Sequence, residues 1–339
     1  MKAVGYQKPQ ALSAADSLID ITLPDPVATG RDLLVEVKAV SVNPVDTKVR
    51  KSGAPAEGEA YKVLGWDASG IVRAVGPEVT LFQPGDRVWY AGSIARPGTN
   101  SELHRVDERI VGHMPQSLNF AQAAALPLTA ITAWEMLFDR LGIAPGKAPS
   151  GKTLLIIGAS GGVGSILTQL AARLTSLTVI GTASRPQTQA WVKELGAHHV
   201  IDHRQPIADE LRRIGFPQVD HIVSLTQTDA HVDQIVEAIA PQGKFGLIDD
   251  PASLDVTKFK RKSVSVHWEL MFTRALFGTA DMIGQHHLLN EVAALVDAGL
   301  IRTTLAEHFG PINAANLQRA HALIESGQAR GKVVLEGWA

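Results

Sequence analysis

The 339-residue sequence contains no cysteine. This absence excludes disulfide bonds, thiolate catalysis and any zinc site built from cysteine. The sequence also carries little net charge, −2 with histidine neutral, so no strong general attraction to nucleic acid or membranes is expected. It has no apolar run of about 18 residues, which argues against a membrane-spanning helix. The first residues, 1–6, look like the start of a strand rather than a signal peptide, and we expect a cytoplasmic protein.

The composition is that of an ordinary globular protein. Hydrophobic residues make up 45% of the chain and charged residues 19%, which is enough apolar material for more than one core. At roughly 150 residues per domain, the length predicts two domains.

The first third of the chain has the pattern of a β-rich unit. Short apolar runs such as 33–40 and 70–76 alternate with glycine and proline turns, as in compact barrel-like folds. Residues 121–137 are almost uncharged, and we interpret them as a buried helix around Pro127.

From Lys152 onward, strands and helices alternate, which predicts a parallel sheet covered by helices. The expected strands are 153–157, 177–182, 199–201, 219–225, 244–248 and 263–270. The expected helices are 163–174, 187–195, 231–240, 286–298 and 314–326, and residues 332–336 form a last strand.

A glycine-rich turn predicts a dinucleotide site. The apolar strand 153–157 leads into Gly158-x-x-Gly161-x-x-Gly164, and an amphipathic helix follows. Glycines allow a tight turn and a close approach of the backbone to a pyrophosphate, whose oxygens then bind the free N–H groups at the helix start. The alternative is a glycine-rich turn without a ligand. We assign Ser160, Gly161, Gly162 and Val163 to the cofactor site.

The residues after the next strand favour NADPH over NADH. An NAD enzyme tends to carry Asp or Glu there for the ribose 2′-hydroxyl, but this sequence has Ser184 and Arg185, which suit a 2′-phosphate. His203, after the third strand, is a further candidate donor. A solvated surface arginine and an ordinary loop histidine are the alternatives.

Five ordered motifs resemble the medium-chain dehydrogenases and reductases, and most of all their quinone-oxidoreductase-like branch, which includes bacterial zinc-type alcohol dehydrogenase-like proteins. The motifs are NPVD at 43–46, LGWDASG at 64–70, GDRV at 85–88, AAALPLTA at 123–130 and GGVG at 161–164.

This resemblance implies an α/β fold of two domains. A GroES-like, β-rich catalytic domain would comprise residues 1–127 and 274–339, and a Rossmann domain with a doubly wound parallel sheet would comprise 128–273. The family implies an active site in the interdomain cleft. It also implies a homodimer formed through strand 263–270.

The resemblance does not extend to the zinc ligands of related alcohol dehydrogenases. Asp46 stands where those enzymes have a cysteine, and Trp66 stands where they have a histidine. Catalytic zinc needs about three protein ligands, so we expect no metal. Hydride transfer without a metal suits a quinone or an α,β-unsaturated carbonyl, because the resulting anion forms more easily than a simple alkoxide.

The candidate catalytic residues are Asn43, Asp46 and Lys48. Asn43 is expected to donate an amide hydrogen near the nicotinamide or the substrate. Relatives often have a tyrosine at the position of Lys48, which could bind the developing oxyanion or be a surface lysine. Asp46 could cap its helical segment or position Lys48. Trp66 and Tyr90 are candidates to line an aromatic substrate pocket, with core packing as the alternative.

Further cofactor contacts follow from the resemblance and from the strand ends. Thr132 and Lys332 match cofactor-contacting positions of the family, and Asn43 also belongs to this set. Four residues lie at the carboxyl ends of predicted strands, where a dinucleotide binds. These are Leu225, Thr226, Ile248 and Asp249.

The leading interpretation is an NADPH-dependent reductase of a small carbonyl or quinone substrate. An alcohol or ketone dehydrogenase with a non-cysteine metal site is an alternative, as is an NADPH-binding redox sensor with little turnover. The near-neutral charge and the lack of a basic stripe count against a nucleic-acid partner.

Overall fold

A computed structural model describes residues 1–338 of the chain, which form two compact units. Unit 1 contains Met1–Ile131 and the segment that begins at Phe272, and unit 2 contains Thr132–Met271. The functional domain limits expected from the sequence, at 127/128 and 273/274, remain predictions.

The first segment of the chain is rich in strands. Its elements are β1 (Lys2–Tyr6), β2 (Ile19–Thr22), β3 (Asp32–Val42), α1 (Pro44–Ser52), β4 (Lys62–Val63), β5 (Ala68–Val75), β6 (Arg87–Tyr90), β7 (Leu103–Asp107), β8 (Val111–His113), α2 (Phe120–Ala124) and α3 (Pro127–Trp134).

In unit 2, helices alternate with strands. After a π-helix at Glu135–Arg140 come β9 (Thr153–Ile157), α4 (Gly162–Leu174), β10 (Thr178–Thr182), α5 (Pro186–Glu194), β11 (His199–Ile201), α6 (Ile207–Arg213), β12 (Val219–Ser224), α7 (Thr228–Ala238), β13 (Ile239–Leu247) and β14 (Ser265–Trp268).

The last segment returns to unit 1. It contains α8 (Thr273–Phe277), α9 (Gly284–Asp297), β15 (Leu305–His308), α10 (Ala314–Glu325) and β16 (Lys332–Glu336). No helix among residues 1–338 is both long and apolar enough to cross a membrane.

Two sheets build unit 1. The larger has the order β15-β16-β3-β5-β6-β8, with β7 also paired to β3, and the smaller has the order β2-β1-β4. Strand β3 is the longest and is buried along most of its length. In its middle, the partly buried Glu36 and Lys38 alternate with the buried Val35, Val37 and Ala39, as in a strand with one face towards the core. Strand β16 pairs antiparallel with β3, so Lys332 lies next to the residues around Val42.

Unit 2 contains a six-stranded sheet in the order β11-β10-β9-β12-β13-β14, with every pair parallel. Strand β9 is buried at all five positions, as its apolar sequence predicts for a central strand. The strand order reverses between β9 and β12, which is the topology of a doubly wound nucleotide-binding sheet. The predicted α/β class is confirmed, and β14 lies at the sheet edge.

The expected single helix over 121–137 is wrong. The structure has α2, a break, α3 and then the π-helix. Pro127 has no N–H group and is found at the start of a helix more readily than inside one. The N–H of Leu128 in the first turn of α3 donates to the Asp67 carboxylate, 3.1 Å away, so a residue distant in sequence caps the second helix.

The predicted helix 231–240 is displaced, since α7 begins three residues earlier and ends two residues earlier. Asp249 accepts hydrogen bonds from the Thr228 N–H at 2.9 Å and from its hydroxyl at 2.5 Å. The Asp249 carboxylate, in the loop after β13, thus accepts a backbone N–H group in the first turn of α7 that has no partner within the helix. A local sequence pattern cannot predict this cap, because Asp249 lies 21 residues after Thr228.

The turn between β9 and α4 depends on close backbone packing. Gly158 has a φ of +83°, a left-handed conformation that glycine adopts readily. A Cβ atom at Gly164 would lie 2.4 Å from the Gly158 carbonyl oxygen and 2.6 Å from the Ala159 Cα. By contrast, the nearest atom to a Cβ at Gly161 is 3.5 Å away.

We therefore expect Gly164→Ala to destabilise the unliganded protein by about 1–3 kcal/mol, because the added methyl group overpacks the turn. Gly161→Ala is the matched control and should cost clearly less. Urea unfolding followed by circular dichroism measures both. Equal losses for the two variants would contradict the packing argument.

Candidate functional site

The start of α4 can hold an anionic group. Gly161 is the N-cap of α4 in an extended conformation, and residues 160–163 are partly exposed. The first N–H groups of a helix have no acceptor within it, and the helix dipole adds positive charge at this end. The Gly158 N–H donates to the Thr182 hydroxyl at 3.0 Å, which joins the turn to β10. The turn fits the pyrophosphate of a dinucleotide.

The structure places Ser184 and Arg185 immediately after β10, both partly buried. Arg185 is also the N-cap of α5. The sequence analysis missed Arg204, whose Nη2 donates to the Ser184 carbonyl at 2.9 Å and to Asp202 Oδ2 at 2.6 Å. This bond brings the segment that contains His203 to the end of β10. The sequence held one signal for Arg204: it directly follows His203, which was already a candidate donor to the 2′-phosphate.

The remaining strand-end residues lie where they were expected. Leu225 and Thr226 follow β12, and Ile248 and Asp249 follow β13. Asp249 already accepts two hydrogen bonds from Thr228, so capping α7 is the role that the structure shows for it. Cofactor contacts by these four residues remain predictions.

Unit 1 contains a second polar cluster, which surrounds a buried lysine. Lys332 is 3% exposed. Its Nζ donates to Asn43 Oδ1 at 2.5 Å and to the Val42 carbonyl at 3.1 Å, and it lies 3.1 Å from Asp67 Oδ2. The sequence analysis gave no role to Asp67, which occurred only within a family motif.

The Asn43 amide is fully engaged inside this cluster. Its Nδ2 donates to the Ser41 carbonyl at 3.3 Å and to Asp67 Oδ2 at 3.2 Å, and its Oδ1 accepts from Lys332. Both amide hydrogens therefore have acceptors within unit 1. Donation to a substrate or nicotinamide, as the sequence led us to expect, would require one of these bonds to be exchanged.

Asp46 is a second carboxyl group in this cluster, in addition to Asp67, which pairs with Lys332. It is 1% exposed. Its Oδ2 accepts the Asn43 N–H at 2.6 Å. Its Oδ1 is buried and has no donor in good hydrogen-bond geometry, although the Gly65 N–H is near enough to the carboxyl group to lower its pKa. Lys332 supplies one positive charge for the two carboxyl groups of Asp46 and Asp67.

Burial controls the protonation of these groups. It raises the pKa of Asp46 to about 7, although the Asn43 N–H and Lys332 oppose the shift. Burial also raises the pKa of Asp67 and lowers that of Lys332, and the attraction between these two opposes both shifts. The cluster is neutral when one of the two carboxyl groups carries a proton. We assign that proton to Asp46, because Asp67 is the carboxylate that lies beside the Lys332 ammonium group.

The other predicted site residues in unit 1 are dispersed. Lys48 is exposed on α1, outside the buried cluster. Trp66 is 1% exposed, and its Nε1 donates to the Ser93 carbonyl at 3.2 Å. Tyr90 is fully buried, with its hydroxyl 3.1 Å from His104 Nδ1. This burial agrees with the packing alternative, and a substrate pocket remains a prediction. Thr132, which is the first residue of unit 2, lies in α3 and is also buried.

The residues of this cluster do not fit a zinc ion. Zinc-dependent relatives have a cysteine and a histidine ligand at the positions of Asp46 and Trp66. The Asp46 carboxyl group could bind a metal, but the Trp66 indole cannot. A lysine ammonium group already provides the positive charge. Within residues 1–338, no group of three or more His, Asp or Glu side chains is arranged to hold a metal. Catalytic zinc requires about three such ligands.

Two family models match the chain. Residues 29–127 match the alcohol dehydrogenase GroES-like domain, and residues 195–335 match the zinc-binding dehydrogenase model. A zinc-type alcohol dehydrogenase-like protein, SAS2087 of Staphylococcus aureus (strain MSSA476), is 39% identical over 99% of both chains. The human mitochondrial NAD(P)H oxidoreductase RTN4IP1 is 32% identical over 90% of this chain and 81% of its own.

Solved structures share the fold over the whole chain. A candidate zinc-dependent alcohol dehydrogenase from Rhizobium etli CFN 42 is 60% identical, with a TM-score of 0.96 over 100% of this chain and 98% of its own. Escherichia coli quinone oxidoreductase, solved with NADPH, is 24% identical, with a TM-score of 0.84 over 99% and 100% of the two chains. The latter similarity concerns the fold alone.

The protonation of Asp46 predicts a pH-dependent stability. Since the pKa of Asp46 is about 7 in the folded protein and an aspartate in the unfolded chain has a pKa of about 4, the folded state holds a proton that the unfolded state releases between these pH values. The contribution of Asp46 to the free energy of unfolding should therefore fall as pH rises from about 4 to 7, by at most about 1.4 kcal/mol per pH unit. Buried histidines such as His104 and His221, whose pKa values are lowered to about 4, contribute in the opposite direction, so the contribution of Asp46 is measured as a difference between variant and parent.

Asp46→Asn, which mimics the protonated carboxyl, should remove this contribution. The free energy of unfolding of the variant relative to the parent should therefore be higher at pH 7.5 than at pH 4.5, as measured by urea unfolding. Asp16→Asn, at an exposed position, is the control, and its free energy of unfolding should change with pH as that of the parent does. A variant whose free energy of unfolding changes between these two pH values by as much as that of the parent would contradict the assignment of the proton to Asp46.

Proposed function

This chain belongs to the quinone-oxidoreductase-like branch of the medium-chain dehydrogenases and reductases, and we propose that it is an NADPH-dependent reductase of quinones or α,β-unsaturated carbonyls that works without a metal. The observation that carries the proposal is the polar edge of the unit 2 sheet. There the start of α4 can bind the pyrophosphate, and Ser184, Arg185 and Arg204 gather beside the expected 2′-phosphate.

The choice of NADPH rests on charge. A 2′-phosphate brings about two negative charges, which need cations or hydrogen-bond donors. Arg204 and Ser184 are already joined by a hydrogen bond, and Arg185 follows directly. Asp202, two residues before Arg204, is paired with it, so the negative charge of Asp202 is compensated. The NAD(P)H oxidoreductase activity named for the human relative is compatible with this assignment.

The choice of acceptor rests on the charge that forms during reduction. NADPH, when bound, supplies a hydride to the acceptor. A conjugated acceptor spreads the resulting negative charge, so it needs less stabilisation from the protein than a simple ketone does. The cluster of Asn43, Asp46, Asp67 and Lys332 provides one ammonium group and one proton in place of a Lewis acid.

In this proposal, the groups of the cluster have separate tasks. Lys332 and Asp67 fix the Asn43 amide, since they bond its oxygen and its nitrogen respectively. Asp46 holds a proton near neutral pH, and its Oδ1 is the atom without a donor in good hydrogen-bond geometry. Lys48, which is exposed, remains the proposed contact for a substrate oxyanion.

We also propose that the protein forms a homodimer through its edge strand. β14 pairs only with β13 among the described strands, and Trp268 and Leu270 beside this edge are 52% and 53% exposed. Unpaired edges with apolar side chains favour association. The molar mass in solution, measured by light scattering, tests this proposal.

The reaction class is tested by stopped-flow measurement of NADPH oxidation with quinones, enones, aldehydes and ketones. We expect quinones or enones to react at least about tenfold faster than simple ketones, a difference of about 1.4 kcal/mol in barrier. Prior treatment with a chelator should leave the rates unchanged. Oxidation of simple alcohols that disappears on chelation and returns with zinc would overturn the proposal.

The cofactor preference is tested by Arg185→Ala. Loss of a charged hydrogen bond to the 2′-phosphate costs about 1.5–3 kcal/mol, so the preference for NADPH over NADH should fall by roughly 10- to 150-fold. Dissociation constants from fluorescence titration measure it. Arg173→Ala, an exposed arginine late in α4, is the matched control. An unchanged preference in Arg185→Ala would refute the assigned 2′-phosphate contact.

A further inference from the structure

Asp202 fixes the side chain of Arg204 after the end of β11. The Arg204 Nε lies 3.1 Å from each carboxylate oxygen of Asp202, and Nη2 donates to Oδ2 at 2.6 Å. The Arg204 backbone N–H donates to Oδ1 at 3.0 Å, which closes a turn of a kind that aspartate favours. Because Nη2 also donates to the Ser184 carbonyl at 2.9 Å, two segments hold the guanidinium group, although the side chain is 64% exposed.

Asp202 is itself attached to neighbouring elements. Its N–H donates to Glu210 Oε2, on α6, at 3.2 Å. The N–H of Ala183, directly after β10, donates to the carbonyl of Ile201 at 3.0 Å, and Ile201 immediately precedes Asp202. The carboxylate that holds Arg204 therefore has a fixed place between α6 and the end of β10.

One edge of the Arg204 guanidinium group remains open. An arginine side chain has five N–H groups in a planar fork. Those of Nε and Nη2 point to Asp202 and the Ser184 carbonyl, whereas Nη1 makes no hydrogen bond to any of residues 1–338. The Ser184 hydroxyl, on a partly buried residue, also donates to none of them. An anion that approaches the end of β10 can reach both groups.

We propose that Asp202 is a positioning residue for the 2′-phosphate of NADPH. By binding Nε and Nη2 of Arg204, it leaves the Nη1 edge as the donor to the phosphate, which is assigned beside Ser184 and Arg185. This inference rests on the proposed use of NADPH. It gives a favourable role to an acidic residue whose charge alone would oppose phosphate binding.

Two effects of Asp202 oppose each other. Its carboxylate repels the phosphate, but between exposed groups this repulsion is weak in water and is screened within about 8 Å at physiological salt. Without Asp202, the exposed Arg204 side chain would have to become ordered when the phosphate binds, which costs conformational entropy. High salt reduces the repulsion and leaves the entropy cost unchanged, so the positioning effect is expected to dominate there.

The test is a double-mutant cycle on cofactor preference. NADPH and NADH dissociation constants are measured by fluorescence titration at about 0.1 M and about 0.5 M salt, for the parent, Asp202→Ala, Arg204→Ala and the double variant. At the higher salt, Asp202→Ala should lower the preference for NADPH by roughly two- to tenfold, which is the cost of immobilising one long side chain. NADH affinity should stay unchanged.

The Arg204→Ala background separates positioning from damage to the fold. Without Arg204, Asp202 contributes only its negative charge, so adding Asp202→Ala should no longer lower the NADPH preference, and at the lower salt it should raise it. Asp209→Ala is the matched control, since it removes another exposed carboxylate that pairs with an arginine, Arg212 on α6. This control should keep the parent's preference.

The outcomes distinguish this inference from the proposed function. If NADPH is preferred by the parent, but Asp202→Ala at the higher salt does not lower that preference, Asp202 does not position Arg204 and the proposed function stands. The same conclusion follows if Asp202→Ala lowers the preference equally with and without Arg204, or weakens NADPH and NADH alike. If the parent does not prefer NADPH over NADH, the cofactor assignment itself fails, and the role of Asp202 fails with it.

Discussion

The structure of unit 1 depends on one buried positive charge, the ammonium group of Lys332. A charge removed from water must be paired and hydrogen-bonded, since its desolvation otherwise costs several kcal/mol. Lys332 meets this requirement through Asn43, Asp67 and the Val42 carbonyl. Asp67 in turn caps α3 at Leu128. The constraint thus joins the end of the chain to the starts of two helices and to the strand that follows Asp67.

The same constraint shapes the chemistry that the cluster can perform. One ammonium group and two buried carboxyl groups cannot all be charged without an excess of negative charge, so one carboxyl group retains a proton. Asp46 is that group, because Asp67 lies beside Lys332 and Asp46 does not. The cluster combines a fixed amide, a positive charge and a proton, and its donor set does not match that of zinc.

The candidate cofactor site at the polar edge of unit 2 depends on main-chain geometry, whereas the polar cluster of unit 1 depends on a buried charge. Gly158 and Gly164 bring the turn and helix α4 so close that a side chain at Gly164 would collide with the backbone. The helix start is then open to an anion. Three loops, after β10, β11 and β12, supply the surrounding polar groups, and the Arg204–Ser184 bond joins two of them.

Local patterns were enough to predict the class of fold, the central strand 153–157, the glycine turn and the edge position of the last sheet strand, since each depends on neighbouring residues or on strand order. The family resemblance is confirmed. The sequence also indicated Asn43, Asp46 and Lys332 one by one. Only the tertiary structure decided that these three share one cluster with Asp67, that Asp249 caps α7 and that Arg204 reaches Ser184. Those contacts join residues distant along the chain, and their energies depend on burial, which a one-dimensional pattern does not contain.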